Sequence, residues 1–146
     1  MPNLSKRHKS PIGIFDSGVG GLTVANAIYR LLPNENIVYF GDTAHLPYGD
    51  KSESAVAHYS EKIAEFLISK KAKTIVIACN TASSYGYDVI QKKFGDKIPI
   101  LNVIDPMASY VVNHKTSSKI GVIGTKGTIR SGIYKTKIQK LYLLNN

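Results

Sequence analysis

The chain of 146 residues contains a single cysteine, Cys79. One thiol forms no disulfide within the chain and no cysteine-based zinc cage, so any chemistry at Cys79 is that of a thiol. Long apolar runs are missing too. None approaches the ~20 residues that span a bilayer, and the polar, basic stretch Met1 to Ser10 has no hydrophobic region behind it. A membrane partner and a secretory signal are therefore not expected, and a cytoplasmic protein is. There is no solenoid-length repeat, no low-complexity segment and no Walker A pattern, and His8, His45, His58 and His114 have no metal-ligand spacing.

Acidic residues are scarce in one place. The net charge is +9, but residues 11–105 are nearly neutral, while Lys6, Arg7 and Lys9 precede them and Lys115, Lys119, Lys126, Arg130, Lys135, Lys137 and Lys140 follow with no acid among them. No aromatic-interleaved basic motif accompanies this tail, so it reads as a solvated face and no nucleic-acid partner is expected.

What is present is the composition of an ordinary globular domain, with strand and helix patterns in alternation. Pro11–Phe15 reads as a buried strand that ends at Asp16-Ser17-Gly18-Val19-Gly20-Gly21, and Leu22, Ala25, Ile28 and Leu32 follow at helical spacing until Pro33-Asn34. Asn36–Phe40 is a second strand. Asp50 and Glu53 have capping-box spacing for a helix whose apolar stripe is Val56, Tyr59, Ile63, Phe66 and Leu67. Thr74–Ile77 is a third strand, with a helix predicted over 82–94. Ile98–Leu101 is a fourth, Asp105-Pro106 opens a helix, and Lys119–Gly124 is predicted as a fifth strand before a last helix carrying Ile129, Ile133 and Ile138. Near-continuous apolar strands alternating with helices point to the α/β class: a parallel sheet with helices on both faces. Ligands of such sheets bind beyond the carboxyl ends of the strands, which brings forward Asp16-Ser17, Gly41-Asp42 with its loop, Cys79-Asn80-Thr81 and Gly124-Thr125.

Two of these places have rival readings. The glycine run after Asp16 looks like a dinucleotide fingerprint with Asp42 as the ribose acid, but the third glycine position is Thr23, and Asp16 would face an incoming pyrophosphate. Cys79 is either a reactive thiol delivered to the start of a helix or a small core filler. Asn80 and Thr81 beside it offer an amide and a hydroxyl suited to a carboxylate or amino group. His45 sits in a strand-end loop within reach of a ligand, and His58 reads as a surface residue.

Three blocks in order, Ile12 to Val24, Tyr39 to Ala44 with Pro47-Tyr48-Gly49, and Ile77 to Ser83, together resemble the glutamate racemases of the cofactor-independent aspartate/glutamate racemase superfamily. The resemblance continues through Ile104-Asp105-Pro106 and Gly121 to Thr128. It implies an isomerase that moves the α-proton of L- and D-glutamate between two bases, with no cofactor and no metal, supplying D-glutamate for peptidoglycan. By the same resemblance Cys79 is one base and Asp16 tunes it, while Ser17, Pro47, Tyr48, Gly49, Asn80, Thr81 and Thr125 hold the substrate. Residues 1–10 are then a basic leader, 11–104 the N-terminal α/β domain of a racemase and 105–146 the start of an incomplete second one. Members of the family are about twice this long, and their second catalytic cysteine, in a Cys-Thr-His block, has no counterpart here. Weak or absent turnover by this chain is therefore expected, with a homodimer pairing two Cys79 thiols as one possible remedy. Two alternatives stand beside the racemase: a substrate-binding half-domain without turnover and, less favoured, a nucleotide-binding domain.

Overall fold

The computed structural model describes residues 9–114 and 119–144. Most of the basic leader, residues 1–8, lies outside the described residues, as do Lys115 and Asn145-Asn146.

Four short strands form the sheet: β1 (Ile12–Asp16), β2 (Ile37–Gly41), β3 (Thr74–Ile77) and β4 (Ile100–Asn102). All pair in parallel in the order β2-β1-β3-β4, with Ile14 opposite Tyr39 on one side and Val76 on the other. Alternation along the strands sends side chains to two faces. Phe15, Ile75 and Ile77 meet the larger core, built with Val56, Ile63 and Leu67 of α2 (Glu53–Ser69), Ala82 of α3 (Asn80–Tyr85) and Ile90 and Phe94 of α4 (Tyr87–Phe94). Ile12, Ile14, Val76 and Ala78 meet a smaller core closed by Ala25 of α1 (Leu22–Leu31). Helices thus cover both faces of a parallel sheet. Full burial of a side chain such as Ile14 or Phe15 contributes about 1.5–3 kcal/mol, which makes β1 and β3 the anchor of everything attached to their ends.

Several boundaries differ from the sequence pattern. α2 is capped by Ser52, whose Oγ accepts the Ala55 N–H at 3.2 Å, and not by Asp50, which belongs to a preceding 3-10 turn. The helix expected over 82–94 breaks at Gly86 into α3 and α4, because Gly86 packs where any Cβ would meet Ser60. α5 (Ile104–His114) begins earlier than expected: the Asn102 side-chain oxygen accepts the N–H groups of Ile104 and Asp105, both at 2.9 Å, and Pro106 falls in the first turn, where its missing N–H costs nothing. The last helix is two, α6 (Lys126–Ser131) and α7 (Ile133–Leu144), separated by Gly132 at φ +65°.

The largest departure is the fifth strand. Residues 119–125 adopt no regular structure. A strand exists only as a partner of another, and among the described residues none lies beside this segment. The stripe of α1 is also less buried than its spacing implies: Ala25 is buried and Ile28 half-buried, but Leu22 and Leu32 are exposed.

Candidate functional site

The carboxyl ends of β1 and β3 lie side by side, so the residues that follow them are neighbours. Ser17 and Cys79 follow those ends, and the Cys79 thiol donates to the Ser17 hydroxyl across 3.6 Å. The same sulfur caps α3 and accepts the Ala82 N–H at 3.4 Å. α3 is only six residues long, and the sulfur satisfies one of its first free amides. Cys79 is buried and packs as part of the larger core.

Asp16 is buried beside it, and its Oδ2 accepts the Gly18 N–H at 2.9 Å. That contact bears on the dinucleotide reading, because the carboxylate occupies the amide that a pyrophosphate would need. Asp42, the would-be ribose acid, is likewise committed: it accepts the Tyr48 hydroxyl at 2.6 Å and contacts His45 Nδ1 at 2.8 and 2.9 Å. His45 stacks on Tyr59 with ring centroids 4.1 Å apart, so it serves this loop. His58 is exposed.

The 46–50 loop reaches the site through a cis Leu46–Pro47 peptide. Pro47 is exposed and Tyr48 buried, and burial followed by the bond to Asp42 pushes the Tyr48 phenol far above its usual range. Gly49 lies flush against the start of α6: a Cβ there would stand 2.6 Å from the Cβ of Thr125. Thr125 caps α6, bonds Thr81 through their hydroxyls at 2.8 Å, and with Thr128 forms a three-hydroxyl cluster whose other separations are 3.1 and 3.2 Å. Asn80 points differently. It is exposed, and its Oδ1 accepts the Tyr134 hydroxyl of α7 at 2.6 Å, leaving the amide NH₂ as the free end.

The fold therefore brings Asp16 and Ser17 to the strand end beside Cys79, and joins Thr81 to Thr125 and Thr125 to the Tyr48-Gly49 turn, with Asn80 and Pro47 exposed. Four hydroxyl groups were not singled out from the sequence. Tyr39 donates to the Gly18 carbonyl at 2.8 Å and Tyr85 to the Gly127 carbonyl at 2.8 Å. Tyr134 and Thr128 complete the set. The tyrosines act across 21 to 54 residues, beyond any local signal. Thr128 stands three residues after the capping Thr125, a spacing that was readable. Tyr39 is raised to about 12 by burial first and then by the negative charges of Asp16 and Cys79, which marks how close it stands to both. Among the described residues no group of three or more His, Cys, Asp or Glu is arranged to hold a metal ion, and no helix is long and apolar enough to cross a membrane.

Residues 22–145 match the Asp/Glu/Hydantoin racemase family. The chain is 48% identical over 130 residues to the glutamate racemase of Geobacter metallireducens, covering 89% of this chain and 47% of that protein. With the glutamate racemase of Corynebacterium diphtheriae it shares 50% identity over 128 residues, 88% of this chain and 48% of the relative. Among solved structures, the glutamate racemase of Francisella tularensis in complex with D-glutamate aligns with a TM-score of 0.85 at 43% identity, over 91% of this chain and 49% of that one. The Thermus thermophilus glutamate racemase in complex with beta-chloro-D-alanine aligns at 0.82 and 45% identity, over 89% and 49%. The chain spans about half the length of the curated relatives it matches.

Proposed function

Because the chain belongs to the Asp/Glu/Hydantoin racemase family, we propose that it forms one wall of a glutamate racemase site, with Cys79 as the base on one face of the substrate α-carbon. Residues 11–104 are in this reading the N-terminal racemase domain and 105–146 the start of a second. The observation that carries the proposal is the placement of the Cys79 sulfur between an amide donor and the Ser17 hydroxyl, with buried Asp16 at the neighbouring strand end.

The chemistry follows from that placement. A thiolate at Cys79 takes the α-proton, the C–H bond breaks as S–H forms, and the electron pair spreads into the α-carboxylate. Hydroxyl donors directed at that carboxylate stabilise the developing charge, and in this reading Ser17, Thr81 and Thr125 supply them. The Asn80 amide NH₂ and the Tyr48-Gly49 turn hold the rest of the substrate, with Pro47 shaping the outer side. Asp16 tunes the Cys79 and Ser17 pair. No cofactor or metal enters this scheme, and the D-glutamate produced would serve peptidoglycan assembly in the cytoplasm. Inversion needs a donor on the opposite face of the α-carbon, and this chain has no second thiol. Returned by the same sulfur, the proton regenerates the same enantiomer.

Incubation with L- and D-glutamate in deuterated buffer, followed by proton NMR and chiral analysis, tests the scheme. The expected result is α-deuteration of one enantiomer with little inversion, abolished by Cys79→Ala. Rapid racemisation by the purified chain would overturn the one-sided site. Glutamate binding without exchange would favour the other reading that the half-length match supports, a binding half-domain without turnover.

A further inference from the structure

The first two residues of α3 are each held by hydroxyls from far along the chain. Thr81 bonds the Thr125 and Thr128 hydroxyls at 2.8 and 3.2 Å, and the Tyr134 phenol donates to Asn80 Oδ1 at 2.6 Å across 54 residues. An exposed asparagine has two amide orientations, and its neighbours decide between them. Tyr134 is such a neighbour. Burial raises its phenol above the usual range, so the group carries its proton at neutral pH, and the amide nitrogen has no lone pair to receive that proton. The amide oxygen therefore turns to Tyr134 and the NH₂ turns away from it.

Tyr134 itself is fixed from both sides. Before it, Gly132 at φ +65° makes the turn out of α6, and the Ser131 hydroxyl accepts the Ile133 N–H at 3.3 Å. One turn after it, on the same face of α7, Lys137 pairs with Asp105 at 2.7 Å and ties the helix to the start of α5. Asn80 and Tyr134 share the wall of a concavity of about 420 Å³ with Thr125 and Thr128. An amide that shows its NH₂ donates to a carboxylate oxygen and has nothing to offer an ammonium group.

We propose that Tyr134 is a positioning residue of the candidate site: by holding the Asn80 oxygen it presents the amide NH₂ to a substrate carboxylate and not to the substrate ammonium. The inference rests on the racemase reading above and gives Asn80 one sign in it. Tyr134 touches no substrate and exchanges no proton in this role. It acts through the orientation of Asn80 alone.

The test uses the purified 146-residue chain and its Tyr134→Phe, Asn80→Ala, doubly substituted and Asn80→Asp variants, titrated with glutamate and with glutarate, the same diacid without the amine. Tyr134→Phe should weaken both ligands by the same factor, about three- to tenfold, and should add nothing to Asn80→Ala. Asn80→Asp keeps an acceptor for Tyr134 but turns an oxygen to the substrate, and should weaken both diacids by more than about tenfold. Without ligand, the side-chain NH₂ signals of Asn80 in a nitrogen-15 spectrum, identified by their loss in Asn80→Ala, should shift in Tyr134→Phe while the backbone signals of the sheet stay in place. Unshifted NH₂ signals, additive losses in the doubly substituted chain, full affinity in Asn80→Asp, or a loss confined to glutamate and absent with glutarate would each overturn the proposal. Shifted signals with no affinity for either diacid would remove the racemase reading and leave Tyr134 as the group that orients Asn80. Deuteration of glutamate at the α-carbon with unshifted signals would do the reverse.

Discussion

Ile12-Gly13-Ile14-Phe15 and Ile120-Gly121-Val122-Ile123 are close to the same sentence in amino acids, and the molecule treats them as opposites. The first is a central strand with partners on both sides, Ile14 and Phe15 wholly buried. The second is unpaired, with Ile123 almost wholly in solvent. Local preference is equal in the two. What differs is the supply of strand partners: β2 and β3 arrive on either side of β1, whereas no described strand arrives beside 120–123. Strand propensity is the ability to fit a pleated, half-buried surface, and it has no effect until that surface exists.

The sharpest way to break this comparison is to truncate each segment. Phe15→Ala removes a ring from the larger core and should cost about 3–5 kcal/mol, enough to unfold much of the chain, whereas Ile123→Ala should stay within about 0.5 kcal/mol. Urea denaturation of the two variants checks both numbers. A comparable loss at Ile123 would mean that the segment is buried in solution.

The same contrast explains what was legible. The parallel α/β sheet could be read because each of its four strands is an apolar run followed by helix-spaced residues, and the strands' own helices bury them. The positions in the candidate site were legible where they stand at or just after a strand end: Asp16, Ser17, Cys79 and Thr81 follow from where β1 and β3 stop. Thr125 reached the site although its predicted strand did not form, held there by the Thr81 hydroxyl and by contact with Gly49. The break at Gly86 was not readable, since the crowding comes from Ser60 on another helix. Nor was the direction of Asn80, because the group that turns it, Tyr134, stands 54 residues away.

Glycines sharpen the comparison at intermediate cost. Gly41, at the end of β2, lies so close to the glycine loop that a Cβ would stand 2.3 Å from the Gly18 carbonyl oxygen, while a Cβ at Gly121 would meet nothing within 4 Å. Gly41→Ala should therefore destabilise by about 1–3 kcal/mol and shift the 16–21 loop, separating Ser17 from Cys79. Gly121→Ala should leave stability within about 0.5 kcal/mol. Thermal melts give the first quantity. The rate of Cys79 alkylation reports the second, and it should change in Gly41→Ala and not in Gly121→Ala.

The smallest effect separates the regions through pH. Tyr39 holds the glycine loop by its bond to the Gly18 carbonyl, and Tyr39→Phe should cost about 0.5–1.5 kcal/mol at neutral pH. Tyr110, on the exposed side of α5, is 61% exposed, and Tyr110→Phe should cost no more than about 0.5 kcal/mol. The Tyr39 contribution carries a pH signature. Its phenol is raised from 10.0 to about 12 by burial and by the charges of Asp16 and Cys79. A group whose folded-state pKa lies above its unfolded one stabilises fully below the unfolded value and loses that contribution as pH climbs through the folded one. The stability gap between wild type and Tyr39→Phe should accordingly hold up to about pH 10 and close between pH 10 and 12. Urea midpoints at pH 8, 10 and 11 measure it, and a gap that stayed constant across that range would show that the Tyr39 phenol is not held in the buried setting described here.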